Sequence, residues 1–422
     1  MKKLLSVFLV CILLVSTLTG CQNRNTAING NPSGDSNHST PGTGKKTIEL
    51  TLWGAQEDGQ LLNELIEGFK AKYASEADFN ITVEYHSESS CKDDLFGDVE
   101  NGADVFTFAD DQLRIMVAGG VLDKVPNADT IESANIEAAI DSSSVNDILY
   151  AYPMTADNGY FLYYNKDYFS EDDVKSMDSI LSIAQASGKN VTMEWSSGWY
   201  LYAFFGGTGL EMGLNDDGVS HYCNWNATDT NIKGVDIAQA LLNISANPSF
   251  LNCSDGDFVK GVQNETVIAG VSGVWNATVI QEAWGDNYAA TKLPTYTCAG
   301  QQIQMSSFAG YKMVGVNAYS DETEWAHKLA DWITNEESQT TRFVKRGQGP
   351  SNIKASASPE IAKSPAIQAI LEQSEFSTLQ RVGGTYWQPM TDFGEIMADH
   401  NSGGKDLQEL MDKMVKGITA AY

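Results

Sequence analysis

Flat aromatic rings and short acidic or amide side chains gather at a few points of the 422-residue chain. Trp53, Glu57 and Asp58 fall in LTLWGAQEDGQ, and Phe108, Asp110, Asp111 and Gln112 in VFTFADDQL. Asp157 falls in MTADNGY, Trp195, Trp199 and Tyr200 in EWSSGWYLY, Trp275 in VSGVWNA, and Tyr386 with Trp387 in GTYWQPM. Aromatic rings stack on flat apolar surfaces, carboxylates accept hydrogen bonds, and amides both donate and accept. Together these types suit a molecule with an apolar face and an edge of hydroxyls. Paired acids have a second use, because two opposed carboxyl groups can hydrolyse a glycosidic bond. Each residue also has a plainer use. Asp110 and Asp111 can cap a helix, Tyr200, Tyr202 and Phe205 can form an inward helix face, and Trp275 can be core. Trp325 and Trp332 recur at helical spacing and read as core.

The elements that must hold these residues follow from hydrophobic period. Ile48, Leu50 and Leu52 alternate, so Thr47 to Trp53 reads as a strand. Leu61, Leu62, Leu65, Ile66, Phe69 and Tyr73 then recur at helical spacing, and Ile81, Val83 and Tyr85 return to period two. That is a βαβ unit with parallel strands and a right-handed crossover. The Trp53-to-Gly59 loop therefore lies at the carboxyl end of its strand, where open α/β sheets bind ligands. The Ala103–Phe108 strand delivers Phe108 to Gln112 to the same side. Further strands are expected at Ile148–Met154, Tyr160–Tyr164, Asn190–Trp195 and Thr266–Val271, and long amphipathic helices at 231–246, 322–336 and 405–420. A second α/β core is implied, and no repeat of fixed period is present.

The N-terminus, MKKLLSVFLVCILLVSTLTGC, has two lysines and an apolar run too short to span a bilayer comfortably, which matches a secretory signal over residues 1–20. Leu18-Thr19-Gly20-Cys21 resembles the bacterial lipobox, which implies that Cys21 is acylated and becomes the first mature residue. The plainer alternative is an ordinary signal peptide with a chance cysteine. Residues 21–46 are almost free of apolar side chains and read as a flexible tether reaching roughly 25 to 30 Å. Losing Lys2 and Lys3 with the signal moves the formal charge from -28 to -30. So acidic a chain disfavours nucleic acid and makes an anionic ligand the lesser guess. Cys91, Cys223, Cys253 and Cys298 remain after processing, with no metal-ligand spacing and no histidine cluster; a Cys223–Cys253 bridge and free thiols are both open. No metal or other cofactor is expected, and no Walker loop is present.

Five stretches occur in a fixed order: LTLWGAQEDGQLLNELIEGF, ADVFTFADDQLRIMVAGGVLDKV, AYPMTADNGYFLYYNKDYF, VSGVWNATVI and TYWQPMTDFGEIM. Together they resemble the extracellular solute-binding proteins of carbohydrate uptake systems, most closely the maltose and maltodextrin group, over nearly all of residues 47–422. The resemblance implies an α/β, two-lobed, periplasmic-binding-protein-like fold of type II, with a ligand cleft between lobes joined by a three-crossing hinge. Residues 47–153 plus 311–356 would form the N-terminal lobe, and 154–310 plus 357–422 the C-terminal lobe. Tyr152-Pro153-Met154 would be the first crossing, which suits a proline and its extended predecessor.

The family's sugar-binding positions are implied to fall on several of these residues. Trp275 falls on a matching tryptophan, and Phe108 stands where the family often has tryptophan. Asp111 matches a hydroxyl-binding aspartate, Gln112 stands in place of an arginine, and Asp157 takes the position of a glutamate. Glu57 aligns with an acidic sugar contact, beside Trp53 and Asp58. Relatives place a stacking tyrosine near Trp195, Trp199 and Tyr200, and which of the three faces the cleft stays open; Trp387 is preferred to Tyr386 as the last platform because its indole covers more of a ring. The implied function is a monomeric, lipid-anchored receptor on the extracytoplasmic face of the bacterial membrane. It would capture a neutral oligosaccharide, malto-oligosaccharides first, and deliver it to an ABC transporter permease without hydrolysing it. The rival readings are a secreted glycoside hydrolase and a surface carbohydrate-binding adhesin.

Overall fold

The computed structural model describes residues 45–215 and 220–421; the signal, Cys21 and the tether up to Gly44 lie outside the described residues. The first sheet has the order Asp78–Tyr85, Thr47–Gly54, Val105–Ala109, Lys312–Val316, Ala151–Thr155. Its first three strands are parallel, as the βαβ pattern requires, and Lys312–Val316 runs antiparallel to both of its neighbours. Apolar residues on alternate positions feed two cores. Ile48, Leu50 and Leu52 meet Leu62, Ile66 and Phe69 of the Gly59–Tyr73 helix and Leu329 and Ile333 of the Thr323–Thr334 helix. On the other face, Trp53, Phe106, Phe108 and Met313 pack with Leu95, Leu113 and Met116. A strand covered on both faces is apolar throughout, and Val105–Ala109 is buried at every position.

The second sheet has the order Phe250–Leu251, Asn190–Thr192, Val267–Ser272, Phe161–Asn165, Tyr288–Thr291. Phe161 and Tyr163 point into one core while Leu162 and Tyr164 point into the other, the period-two division of a strand between two layers. The Gly234–Ser245, Trp387–Ala398 and Leu407–Ile418 helices close the larger core through Ile237, Leu241, Phe393, Met397, Met411 and Ile418. Each such side chain, fully buried, contributes about 1.5–3 kcal/mol. Gly394 lies against the Trp195 carbonyl, where a Cβ would collide with backbone. Trp325 and Trp332 pack against the first core, as their spacing requires.

The chain passes between the sheets at three adjoining places. Ala156 N–H donates to Gly349 O at 2.9 Å, Asn158 N–H donates to Gly310 O at 3.2 Å, and Thr155 bridges to Pro350. Tyr152, Pro153 and Met154 are not themselves the crossing: they lie buried inside the edge strand Ala151–Thr155, and the chain leaves the sheet at Ala156. Pro153 sits beside a register shift against Lys312 and Met313, an irregularity that tolerates a residue without an N–H. Cys91, Cys223, Cys253 and Cys298 are free thiols, so the conceivable Cys223–Cys253 bridge is absent; Cys223 sits in the His221–Cys223 strand and Cys253 just before the Asp255–Gln263 helix. Among the described residues no helix is long and apolar enough to cross a membrane, and no cluster could hold a metal ion.

Candidate functional site

A cleft of about 770 Å³ lies beside the crossings. Elements of the first sheet supply Glu57, Glu88, Asp111, Gln112 and Lys312 to it, and elements of the second supply Trp199, Tyr200, Asp255, Trp275 and Trp387. All but Trp387, which opens the Trp387–Ala398 helix, arrive at or just beyond strand ends, where side chains are free to project as the pleat stops.

Two members of the aromatic wall, Trp275 and Tyr200, are held by one carboxylate. Asp255 opens the Asp255–Gln263 helix, which Ser254 caps through Asp257 N. Trp275 Nε1–H and Tyr200 O–H each donate to Asp255 Oδ2 at 2.9 Å, and Ser272 O–H donates to Oδ1 at 2.8 Å. Trp199 packs against Tyr160 and Phe308, each with ring centroids 5.5 Å away. Trp387 meets Tyr386 edge-on. Of the residues left open in the sequence, Trp195 is core, packed on Phe204 and Phe250, whereas Trp199 and Tyr200 line the cleft. Tyr386 is fully buried with its hydroxyl donated to Gly198 O, and Trp387 lines the cleft.

The opposite wall is acidic and polar. Asp110 and Asp111 follow the Val105–Ala109 strand, and Asp111 lines the cleft. Burial pushes the Asp111 carboxyl up to about 7, against the lowering effect of a backbone N–H, Lys92, Gln380 and Gln112. Burial and the neighbouring Asp111 push Asp110 up to about 7 as well, so the two titrate as a pair. Gln112 lines the cleft, but its amide is occupied: Nε2 donates to Glu88 O at 2.6 Å and Oε1 accepts from Lys92 N at 2.8 Å. It braces the 88–92 turn.

Four sequence candidates do not line the cleft. Trp53 is buried, stacked on His86 at 3.9 Å, and donates to Glu84 Oε2 at 2.8 Å. Phe108 is fully buried because its strand is covered on both faces. Asp58 accepts from Arg342 Nη1 and from Arg346 Nε, the latter at 2.8 Å, with Arg342 also bound to Gln348. Burial raises the Asp58 pKa, but Arg342, Lys312 and Arg346 outweigh it and hold the group below the usual carboxylate range. Asp157 accepts from Gly349 N at the crossings, and burial pushes it up to about 6. All four are structural supports behind the site, so the expectation that they touch ligand is corrected here.

Sequence reasoning missed Glu88, Asp255 and Lys312. A lysine heading the otherwise apolar strand KMVGV was a usable signal, and so was the SDGD run at a helix start. Glu88, in the polar HSESS turn, carried none.

Two sheets joined by three crossings around a cleft with one aromatic and one polar wall define a two-lobed solute-binding protein of type II. Residues 66–369 match the bacterial extracellular solute-binding protein family, to which the chain belongs. It is 27% identical over 393 residues to the galactooligosaccharide-binding protein of Bacillus subtilis (strain 168), covering 89% of this chain and 87% of that one. A solved structure described as being with acarbose superposes with a TM-score of 0.77 at 28% identity, covering 89% of this chain and 99% of that one. The maltose/maltodextrin-binding domain of Bdellovibrio bacteriovorus, bound to maltotriose, has the same fold, with a TM-score of 0.74 at 16% identity and coverage of 88% and 98%.

Proposed function

We propose that this protein is the lipid-anchored, extracytoplasmic receptor of an ABC transporter, monomeric, which captures a neutral oligosaccharide and presents it to the membrane permease. The observation that carries the reading is the two-sided cleft: Trp199, Trp275 and Trp387 offer ring faces on one side, and Glu57 and Asp111 offer carboxyl groups on the other. Pyranose rings need both, because their CH faces stack on aromatics while their edges exchange hydrogen bonds. Malto-oligosaccharides are the first candidates, supported by the acarbose and maltotriose complexes of similar structures. Galacto-oligosaccharides are the second, supported by the name of the Bacillus subtilis relative. The lobes of the proposed receptor are 47–155 with 311–356, and 156–310 with 357–422, the first boundary moved to where the chain leaves the Ala151–Thr155 strand. Cys21 carries the lipid and residues 22–46 the tether.

The receptor grips sugar without hydrolysing it. Titration calorimetry with maltose to maltoheptaose and with galacto-oligosaccharides, alongside cello-oligosaccharides, tests the ligand. Release of reducing ends by the purified protein would overturn the receptor reading in favour of a glycoside hydrolase. A cleft that binds without compaction in solution scattering would favour an adhesin instead.

A further inference from the structure

Lys312 and Glu88 form a charged pair on the floor of the cleft. Lys312 stands at the head of a buried strand, paired with Ala109 on one side and Thr155 on the other, beside the register shift that precedes Met313. Its Nζ lies 2.5 Å from Glu88 Oε2 and 5.5 Å from the centre of the Trp275 ring. Burial disfavours the ammonium, but Glu88, Asp58 and Asp157 outweigh it and keep Lys312 charged. Glu88 is held just as firmly: its carbonyl accepts from Ala109 N at 3.2 Å and from Gln112 Nε2 at 2.6 Å.

Neither group is used up by the other. An ammonium has three N–H donors, and Glu88 takes one. Glu88 Oε1 is buried and has no partner among the described residues. A carboxylate has about four acceptor positions, so Glu88 keeps accepting capacity beyond its bond to Lys312. The Lys312 side chain is 12% exposed and that of Glu88 7% exposed, so the pair meets the cleft although Oε1 itself is covered. Lys312 and Glu88 both line the cleft beside Trp275.

We propose that Lys312 and Glu88 read a vicinal diol: adjacent hydroxyls on the edge of the sugar ring stacked on Trp275 accept from Lys312 Nζ and donate to the Glu88 carboxylate. The proposal rests on the oligosaccharide reading and adds to it the residues that sense hydroxyl configuration. Both bonds are charge-assisted, so an analogue lacking either hydroxyl binds about tenfold to about a hundredfold more weakly.

The test is calorimetry with maltotriose, β-1,4-galactotriose and their single-deoxy analogues on the mature wild-type protein and on a Lys312→Met/Glu88→Leu double variant. Replacing a buried ion pair by apolar side chains is close to neutral for folding, so the variant should stay folded, with part of the thermal midpoint lost because Lys312 also faces Asp58 and Asp157. The double variant should lose at least about tenfold in affinity for the preferred trisaccharide, and it should bind that sugar and the sensitive deoxy analogue equally. Glu88→Gln, which keeps the shape, should show the same levelling for the hydroxyl that donates to the Glu88 carboxylate. The diol assignment is overturned if the double variant binds like the wild type. It is also overturned if the double variant weakens every analogue in parallel, because the pair would then act only by bracing Trp275. Wild-type protein that binds neither trisaccharide would instead remove the oligosaccharide reading, and this proposal with it.

Discussion

At the residue scale, Trp275 and Tyr200 in the aromatic wall depend on one acceptor. Asp255 takes three donated hydrogen bonds, two of them from Trp275 and Tyr200, so it sets the angle of the platforms without needing to touch ligand. Trp275→Ala removes the platform and should weaken oligosaccharide binding by about ten- to a hundredfold, the equivalent of losing one buried ring. Asp255→Ala should weaken it less, by about tenfold, and should also lower stability by about 1–3 kcal/mol because the buried Tyr200 hydroxyl loses its partner. Calorimetry and denaturant titration separate the two effects; equal binding by wild type and Trp275→Ala would remove that residue from the site. The Asp110–Asp111 pair makes a prediction about pH. Its carboxyl groups titrate near 7 when folded, against 3.8 as the ordinary value, so the native state holds protons that the unfolded chain has released across that window. Their contribution to stability is complete below about pH 4 and is lost as pH rises through about 7. Asp111→Asn mimics the protonated acid, so the variant should match the wild type near pH 4 and exceed it near pH 8 in thermal melts. A variant less stable at both ends would reject the assignment.

At the element scale, the turn that carries Glu57 is tied to the Glu336–Arg346 helix by Asp58, Arg342 and Arg346. Arg342 is 1% exposed, so Asp58→Ala strands a buried guanidinium and should destabilise the fold by about 3–5 kcal/mol, read by denaturant unfolding. A loss under 1 kcal/mol would show that Arg346 and Gln348 suffice to compensate Arg342. The same element shows how far the chain could be read in advance. The βαβ unit, the second α/β core and the three long amphipathic helices follow from hydrophobic period, which reports which residues share a face. Trp199, Tyr200, Trp275 and Trp387 are singled out by the family resemblance, whereas those periods put Glu57 and Asp111 at strand ends that open on the cleft. They could not tell Asp58 from Glu57, because the partner that draws Asp58 inward lies 284 residues further on. Phe108 misled for a related reason: it ends a strand, but the covering layer over that end comes from Leu113 and Met116, which local period does not orient. Lys312 and Glu88 became a pair only when antiparallel pairing set the Lys312–Val316 strand against Val105–Ala109.

At the scale of the whole molecule, charge and cleft chemistry point in different directions, and this separates a neutral cargo from a charged one. The chain carries a formal charge of -28, a field that repels anions and draws in cations over distances set by the Debye length. That length falls from about 30 Å at 0.01 M to about 3 Å at 1 M ionic strength. A charged ligand must therefore change its affinity and association rate steeply across that range. A neutral sugar has no net charge for the field to act on, and of the charges that would touch it the Lys312–Glu88 pair is shielded by burial while Glu57 is exposed. The dissociation constant of the preferred oligosaccharide should thus stay within about twofold between those salt concentrations, measured by calorimetry at fixed pH. Saturation at about 100 times that constant should add about 2.7 kcal/mol to the stability of the binding-competent state and raise the melting temperature at both salt levels alike. A salt-dependent constant would show that the acidic surface takes part in recognition, and would move the cargo from uncharged oligosaccharides to cationic ones.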